Sequence, residues 1–299
     1  MYEKYLEQLL IASKMRNLST GTTRTYIHSL TTFFDEIEKE PSEIMFEDIQ
    51  GFLLAKREKG VSAATCNGYH SAIRFFFRYV LHKPWNEDIV PRMIREQPLP
   101  KVMLAEDIEL LLSFATNIKY KAIISLLYGS GLRVSEVVNL DYCDISRSTM
   151  QVHVRNTKNR SERYTILSQR SLDILTEYWF KCGKPTGALF INQATKKRLT
   201  ASAVEQYIRK ISRKAKIPYA VSPHTLRHSF ATHLLEAGTD VRYIQALLGH
   251  RTPVSTNKYL HVTNKAVMGV KSPFDFKAGG IHGYTYCTRY FSKVLSSIS

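Results

Sequence analysis

The stretch His224-Thr-Leu-Arg-His-Ser-Phe places two histidines and an arginine on one helix face, because residues three and four apart stand one above the other. A core helix is expected to avoid such a concentration of cation-forming groups, and an ordinary surface helix to dilute it with carboxylates. The pattern therefore points to an anion held against this face. Two further stretches have the same character. Tyr-Gly-Ser-Gly-Leu-Arg-Val-Ser-Glu sets Arg133 just past a double-glycine break, where backbone can approach a ligand closely. Leu-Leu-Gly-His places His250 directly after a helix-stopping glycine, and Tyr259 follows within the next ten residues. Lys158 stands in a polar turn between two alternating segments.

Together these groups permit exchange at a phosphodiester. Arginines offer planar forks that match two phosphate oxygens at once. Two of them can neutralise the charge that builds on the equatorial oxygens as phosphorus becomes five-coordinate. Histidine gives or takes a proton near neutral pH. A tyrosine hydroxyl, with a free pKa of about 10, becomes a usable nucleophile when surrounding cations favour its phenolate. A lysine beside the departing oxygen supplies the proton that oxygen needs. No carboxylate cluster with metal spacing accompanies the set, so neither a divalent ion nor another cofactor is expected.

Singly, each residue has a plainer reading. Arg133 can pair with Glu136, basic helix faces such as that of His224 and Arg227 are common, and lysines are routinely solvated in turns like that of Lys158. His228 and His233 read as packing residues or as supports behind the site. Tyr259 is one of 17 tyrosines and has no claim of its own. The combination carries the inference.

The elements that must position these residues divide the chain. Residues 1–90 read as four helices, near 2–17, 22–39, 46–59 and 62–82, with caps at Ser19-Thr20 and Ser62 and stops at Pro41 and Gly60. The proline-rich stretch 91–100 reads as a linker. A second domain spans 101–275, with helices near 104–116, 119–129, 134–140, 170–181, 202–215, 222–238, 240–248 and 254–260. Alternation around a polar centre predicts a β-hairpin with strands at 150–155 and 162–167. Ser222-Pro223 supplies a cap and a first helical residue for the helix that holds the opening motif. Residues 276–299, rich in glycine and tyrosine, read as a tail. The expected fold class is mainly α with a small sheet.

The charge is distributed to match. Of 42 Lys+Arg and 26 Asp+Glu, residues 1–100 hold 13 of each, so the whole surplus of +16 lies beyond them. A surplus of that size suits a polyanion, nucleic acid above all. No apolar run reaches the roughly 18–20 residues of a membrane span. The amphipathic, acidic start does not read as a secretory signal, and the scattered Cys66, Cys143, Cys182 and Cys287 suit a reducing cytoplasm.

Three motifs then carry a resemblance. Ser-Gly-Leu-Arg-Val-Ser-Glu-Val-Val-Asn-Leu (130–140), the block from His224 to His250, and His250-Arg-Thr-Pro-Val-Ser-Thr-Asn-Lys-Tyr259-Leu-His261 resemble the signatures of the tyrosine recombinase (phage integrase) family, in a Xer-like layout. The resemblance covers roughly residues 100–262, and the leading helices are similar to that family's SAM-like core-binding domain. It implies a catalytic domain in which Arg133 and Arg227 clamp the phosphate, and Lys158 protonates the departing 5′ oxygen. His224 assists proton transfer, His250 hydrogen-bonds the phosphate, and Tyr259 forms a 3′-phosphotyrosine link. Lys158 lacks the family's flanking glycines, having Asn156, Thr157 and Asn159 instead, which leaves Arg155 and Arg160 as alternatives. The implied reaction conserves bond energy and needs neither metal nor ATP. It is run by a homotetramer on paired double-stranded DNA sites, from a monomer or dimer without DNA, with the two domains closing around the duplex. The absence of a DNA-arm-binding domain ahead of the first helix disfavours a lambda-like integrase, and the unusual tail favours a mobile-element integrase or transposase. A Xer-like resolvase of chromosome or plasmid dimers is the alternative, and a non-catalytic DNA-binding regulator is the rival from another class.

Overall fold

A computed structural model describes residues 2–95, 101–155, 162–184 and 186–249. The chain forms two compact units, divided after Pro98. The first unit is built from α1 (Glu3–Met15), α2 (Thr20–Ile37), α3 (Phe46–Glu58) and α4 (Ala63–Tyr79). Ser19 and Ser62 cap α2 and α4 by accepting from the backbone N–H of Thr22 and Thr65. Helix α2 stops short of the expected Pro41, because Glu38 turns into the left-handed region at φ 52°.

The core of this unit is aromatic. Phe33, Phe34, Phe52, Phe76 and Phe77 are buried together, in edge-on and tilted contacts typical of ring quadrupoles. Two of its buried polar groups, Asn67 and His70, are neutral and hold backbone. Asn67 pins Met93 at both its carbonyl (2.8 Å) and its N–H (2.9 Å), while His70 Nε2 lies 2.9 Å from the Val90 carbonyl. Residues 90–93 are thereby tied to α4. The first part of the stretch read as linker is fastened down by side chains that the sequence reading treated as ordinary helix positions.

The second unit holds α5 (Ala105–Phe114), α6 (Ile118–Gly129), α7 (Val134–Val138), a three-stranded sheet, α8 (Gln169–Lys181), α9 (Ala201–Lys214), α10 (Pro223–Glu236) and α11 (Val241–Leu248). The sheet runs β1 (Ile145–Ser146), β2 (Gln151–Val154) and β3 (Arg163–Ile166) in that order, all antiparallel. Strand β1 is an addition to the expected hairpin. Only two residues long, it is too short for alternation to reveal.

Pairing of Val152 with Thr165 and of Val154 with Arg163 fixes which side chains face inward. Val152, Val154 and Thr165 are buried on that face, and Arg163 shares it. The expected helix at 254–260 and the tail 276–299 lie outside the described residues. Among those described, no helix is long and apolar enough to cross a membrane.

Candidate active site

Helix α10 begins as its sequence demands. Pro223 occupies the first turn, and Ser222 caps it by accepting from the Thr225 N–H at 3.1 Å. It is nevertheless a core helix, contrary to the expectation that a core helix would shun such charge. Every residue from Thr225 to Thr232 is buried, Arg227 and His228 included. The physical reason is that the buried guanidinium has partners. Arg227 Nη1 donates to the Gly131 carbonyl (2.8 Å), and Nη2 donates to the Leu248 carbonyl (2.7 Å). Glu136 provides the counter-charge, 3.6 Å from Nη1. A buried charge is tolerable on these terms.

Gly131 explains the double-glycine break differently from the sequence reading. Its φ is +61°, and a Cβ there would stand 2.3 Å from the Phe230 ring and 3.1 Å from Leu248. What approaches its backbone so closely is therefore the protein's own α10 and α11, and the position admits no side chain. The turn delivers Arg133 to the N-cap of α7.

Glu136 binds the cluster together. Its carboxylate accepts from the Arg133 backbone N–H (2.8 Å) and Arg133 Nη1 (2.7 Å). It also accepts both ends of the Arg163 fork, at 2.9 and 2.8 Å. Burial opposes the charged carboxylate, but the arginines prevail and hold its pKa down at about 2. The pairing of Arg133 with Glu136 thus exists, and it serves as scaffolding for Arg133 within the cluster.

Arg133, Arg227 and the exposed His224 line one cleft of about 330 Å³, together with Glu205 and Arg209 of α9. His224 Nε2 stands 2.9 Å from His228 Nε2, so His228 lies directly behind it. His233 pairs with the Tyr128 hydroxyl at 2.9 Å and belongs to the packing between α6 and α10. Lys158, His250 and Tyr259 lie outside the described residues, as does Arg160. The segment bearing Lys158 joins β2 to β3, and the one bearing His250 and Tyr259 leaves the end of α11.

The phage integrase family model matches residues 101–266, and the N-terminal SAM-like domain of phage integrases matches residues 5–87. The chain belongs to the phage integrase family of tyrosine recombinases. A putative integrase/recombinase, y4qK of Sinorhizobium fredii, is 34% identical over 264 residues, covering 88% of this chain and 85% of that protein. Tyrosine recombinase XerD of Oceanobacillus iheyensis is 31% identical over 268 residues, covering 83% and 90%. A lambda integrase dimer bound to a COC′ core site shares the fold at 17% identity and a TM-score of 0.71, with 86% of this chain and 94% of that one aligned. The protein is a site-specific DNA recombinase.

Seen as a recombinase, the molecule contains members of the site that the motifs did not single out. Arg163 belongs to none of the three motifs, yet it faces inward. The signal was present in the hairpin, where Arg163 falls in phase with Thr165 on the side that alternation assigns to the core. Glu205 and Arg209 carried no such signal, since amphipathic α9 exposes several charged residues alike. Arg155, one of the alternatives to Lys158, is held by Asp144 at 2.6 Å and Asp141 at 3.3 Å. The Asp144 carboxylate raises its already high pKa. A guanidinium so held is a poor proton donor.

Proposed function

We propose that this recombinase cuts and rejoins DNA through a covalent 3′-phosphotyrosine formed by Tyr259. The observation that supports the reading most is the convergence of Arg133, Arg227 and His224 on one cleft, with both arginines paired to the buried carboxylate of Glu136. Two guanidiniums there suit the non-bridging oxygens of a phosphodiester and the charge that grows on them during attack. The Tyr259 oxygen bonds to phosphorus as the bond from phosphorus to the 5′ oxygen breaks. His224 takes the phenol proton, Lys158 gives a proton to the departing 5′ oxygen, and His250 donates a hydrogen bond to the phosphate. A 5′ hydroxyl from a partner strand then attacks the phosphotyrosine and restores a DNA backbone. One ester replaces another at each step, so no ATP is consumed, and the cationic side chains take the place of a metal ion.

The working assembly in this proposal is a homotetramer on two paired duplexes in the cytoplasm, and its task is integration of a mobile element. Similarity to a putative integrase/recombinase supports the task. The likeness to XerD supports resolution of DNA dimers as a second reading with the same chemistry.

The test uses nicked duplexes tiled across the DNA that flanks the encoding gene. The wild-type chain is expected to form an adduct that survives denaturing electrophoresis, with EDTA present or absent, and Tyr259→Phe to form none. An adduct that persists in Tyr259→Phe, or that appears only with Mg²⁺, would overturn the mechanism.

A further inference from the structure

Arg163 has no place in that mechanism, yet it is heavily engaged in the cluster. Its side chain is 8% exposed, and all three of its nitrogens donate. Nη1 and Nη2 take the two oxygens of Glu136, and Nε takes the Leu247 carbonyl at 2.8 Å. Strand β3, helix α7 and the end of α11 thus meet at one planar group. We propose that Arg163 is a positioning residue for strand cleavage: it supplies the main counter-charge to Glu136 and caps α11, so that Arg133 and Arg227 hold their places for the scissile phosphate. This inference rests on the cleavage reading above.

The geometry gives the reason. A buried carboxylate keeps drawing donors until its lone pairs are met. Arg163 meets both oxygens of Glu136, and the bonds from Arg133 complete the set. Without Arg163, the nearest replacement is Arg227 Nη1, 3.6 Å from the carboxylate. Closing that gap would pull Arg227 away from the Gly131 and Leu248 carbonyls that now fix it. The second contact acts on the other side of the site. Leu247 and Leu248 end α11, and their carbonyls are capped by Arg163 and Arg227, the arrangement that favours cations at a helix C-terminus. Gly249 completes the cap at φ +64°, where a Cβ would stand 2.8 Å from Arg163 Cδ. The glycine therefore makes room for the arginine stem just before the chain reaches His250. Lysine would keep the charge but lose the fork.

The experiment measures single-turnover adduct formation on the nicked substrate at saturating protein, alongside DNA affinity and the urea midpoint of each variant. Arg163→Gln is expected to cleave about 100-fold more slowly, as a misplacement of about 1 Å would produce. Arg163→Lys is expected to lose about tenfold or more, the worth of a lost charged hydrogen bond. Both should bind DNA within about threefold of wild type, because the phosphate-facing charges remain. In Glu136→Gln/Arg163→Gln the unmatched carboxylate is gone, so the double variant should cleave faster than Arg163→Gln alone.

A double variant slower than Arg163→Gln would overturn the inference, as would losses in rate that merely follow the unfolded fraction. Wild-type cleavage with an equally fast Arg163→Gln would overturn it while leaving the cleavage reading intact. No adduct from the wild-type chain would overturn both.

Discussion

The two units bury polar groups for opposite ends. In the first, the buried polar side chains include Asn67 and His70, neutral groups that hold backbone around an aromatic core. In the second, Glu136, Asp144 and Arg227 are buried in ion pairs, and Arg227 of the Glu136 cluster lines the cleft. Apolar packing stabilises without direction, whereas buried ions are costly and directional. In the proposed mechanism guanidiniums meet a phosphate, so the second kind of burial lies at the proposed chemistry and the first kind within the core of the leading unit. The charge balance agrees, with +16 confined to the chain beyond residue 100.

That contrast can be broken or sharpened, since each unit contains one of the chain's 2 tryptophans, Trp85 and Trp179. Variants that keep one or the other report the unfolding of each unit separately in the full chain. The largest effect is expected from Phe76→Ala, which empties a fully buried position ringed by Phe34, Phe77 and Tyr5. It should lower the stability of the first unit by about 3–5 kcal/mol, and the Trp179 transition should hold still. An equal fall in both transitions would show that the aromatic core is not that unit's own support.

Acid should separate the units next. Glu136 ionises near 2 in the fold against an ordinary 4.5, so its contribution is complete above about pH 4.5 and disappears as pH falls toward 2. It amounts to something on the order of 3 kcal/mol. Burial also pushes the His70 imidazole below its ordinary 6.5, which leaves it neutral in the fold. Its contribution is complete above about pH 6.5 and is lost as pH falls below that, when the unfolded chain gains the proton first. Urea midpoints at pH 7.5, 5.5 and 3.5 should therefore show the first unit weakening between the first two values. The acid loss from Glu136 in the second should come between the last two. Glu136→Gln should flatten that later step, and a step that survives the substitution would assign it to another group.

The smallest effect is expected at Asn67. Replacing it with alanine removes both bonds to Met93, for a loss of about 1–2 kcal/mol in the first unit. Faster proteolysis at residues 89–95 is the accompanying sign. Unchanged proteolysis would mean that the apolar contact of Met93 with the core suffices.

Much of this architecture was legible beforehand where the signal is local. Ser19, Ser62 and Ser222 cap helices because a hydroxyl at that position meets a backbone N–H two or three residues on. The hairpin followed from alternation, and Arg133, His224 and Arg227 stood out by residue type and spacing. Less legible were groups whose meaning depends on a distant partner. Glu136 read as a plain salt-bridge residue and Arg163 lay outside the motifs, because their bonds span 27 residues of chain. Asn67 and His70 looked like ordinary helix positions, since what they hold lies 20 and more residues away.

By itself, then, the sequence determined the described helices, the hairpin, the division of charge and the family, because capping, periodicity and motif spacing act over a few residues. The tertiary structure alone decided that α10 is buried, that Gly131 yields to Phe230, and that one carboxylate joins three arginines. Those outcomes depend on which surfaces meet. A buried ion is admissible only where the fold brings its partners within hydrogen-bond reach.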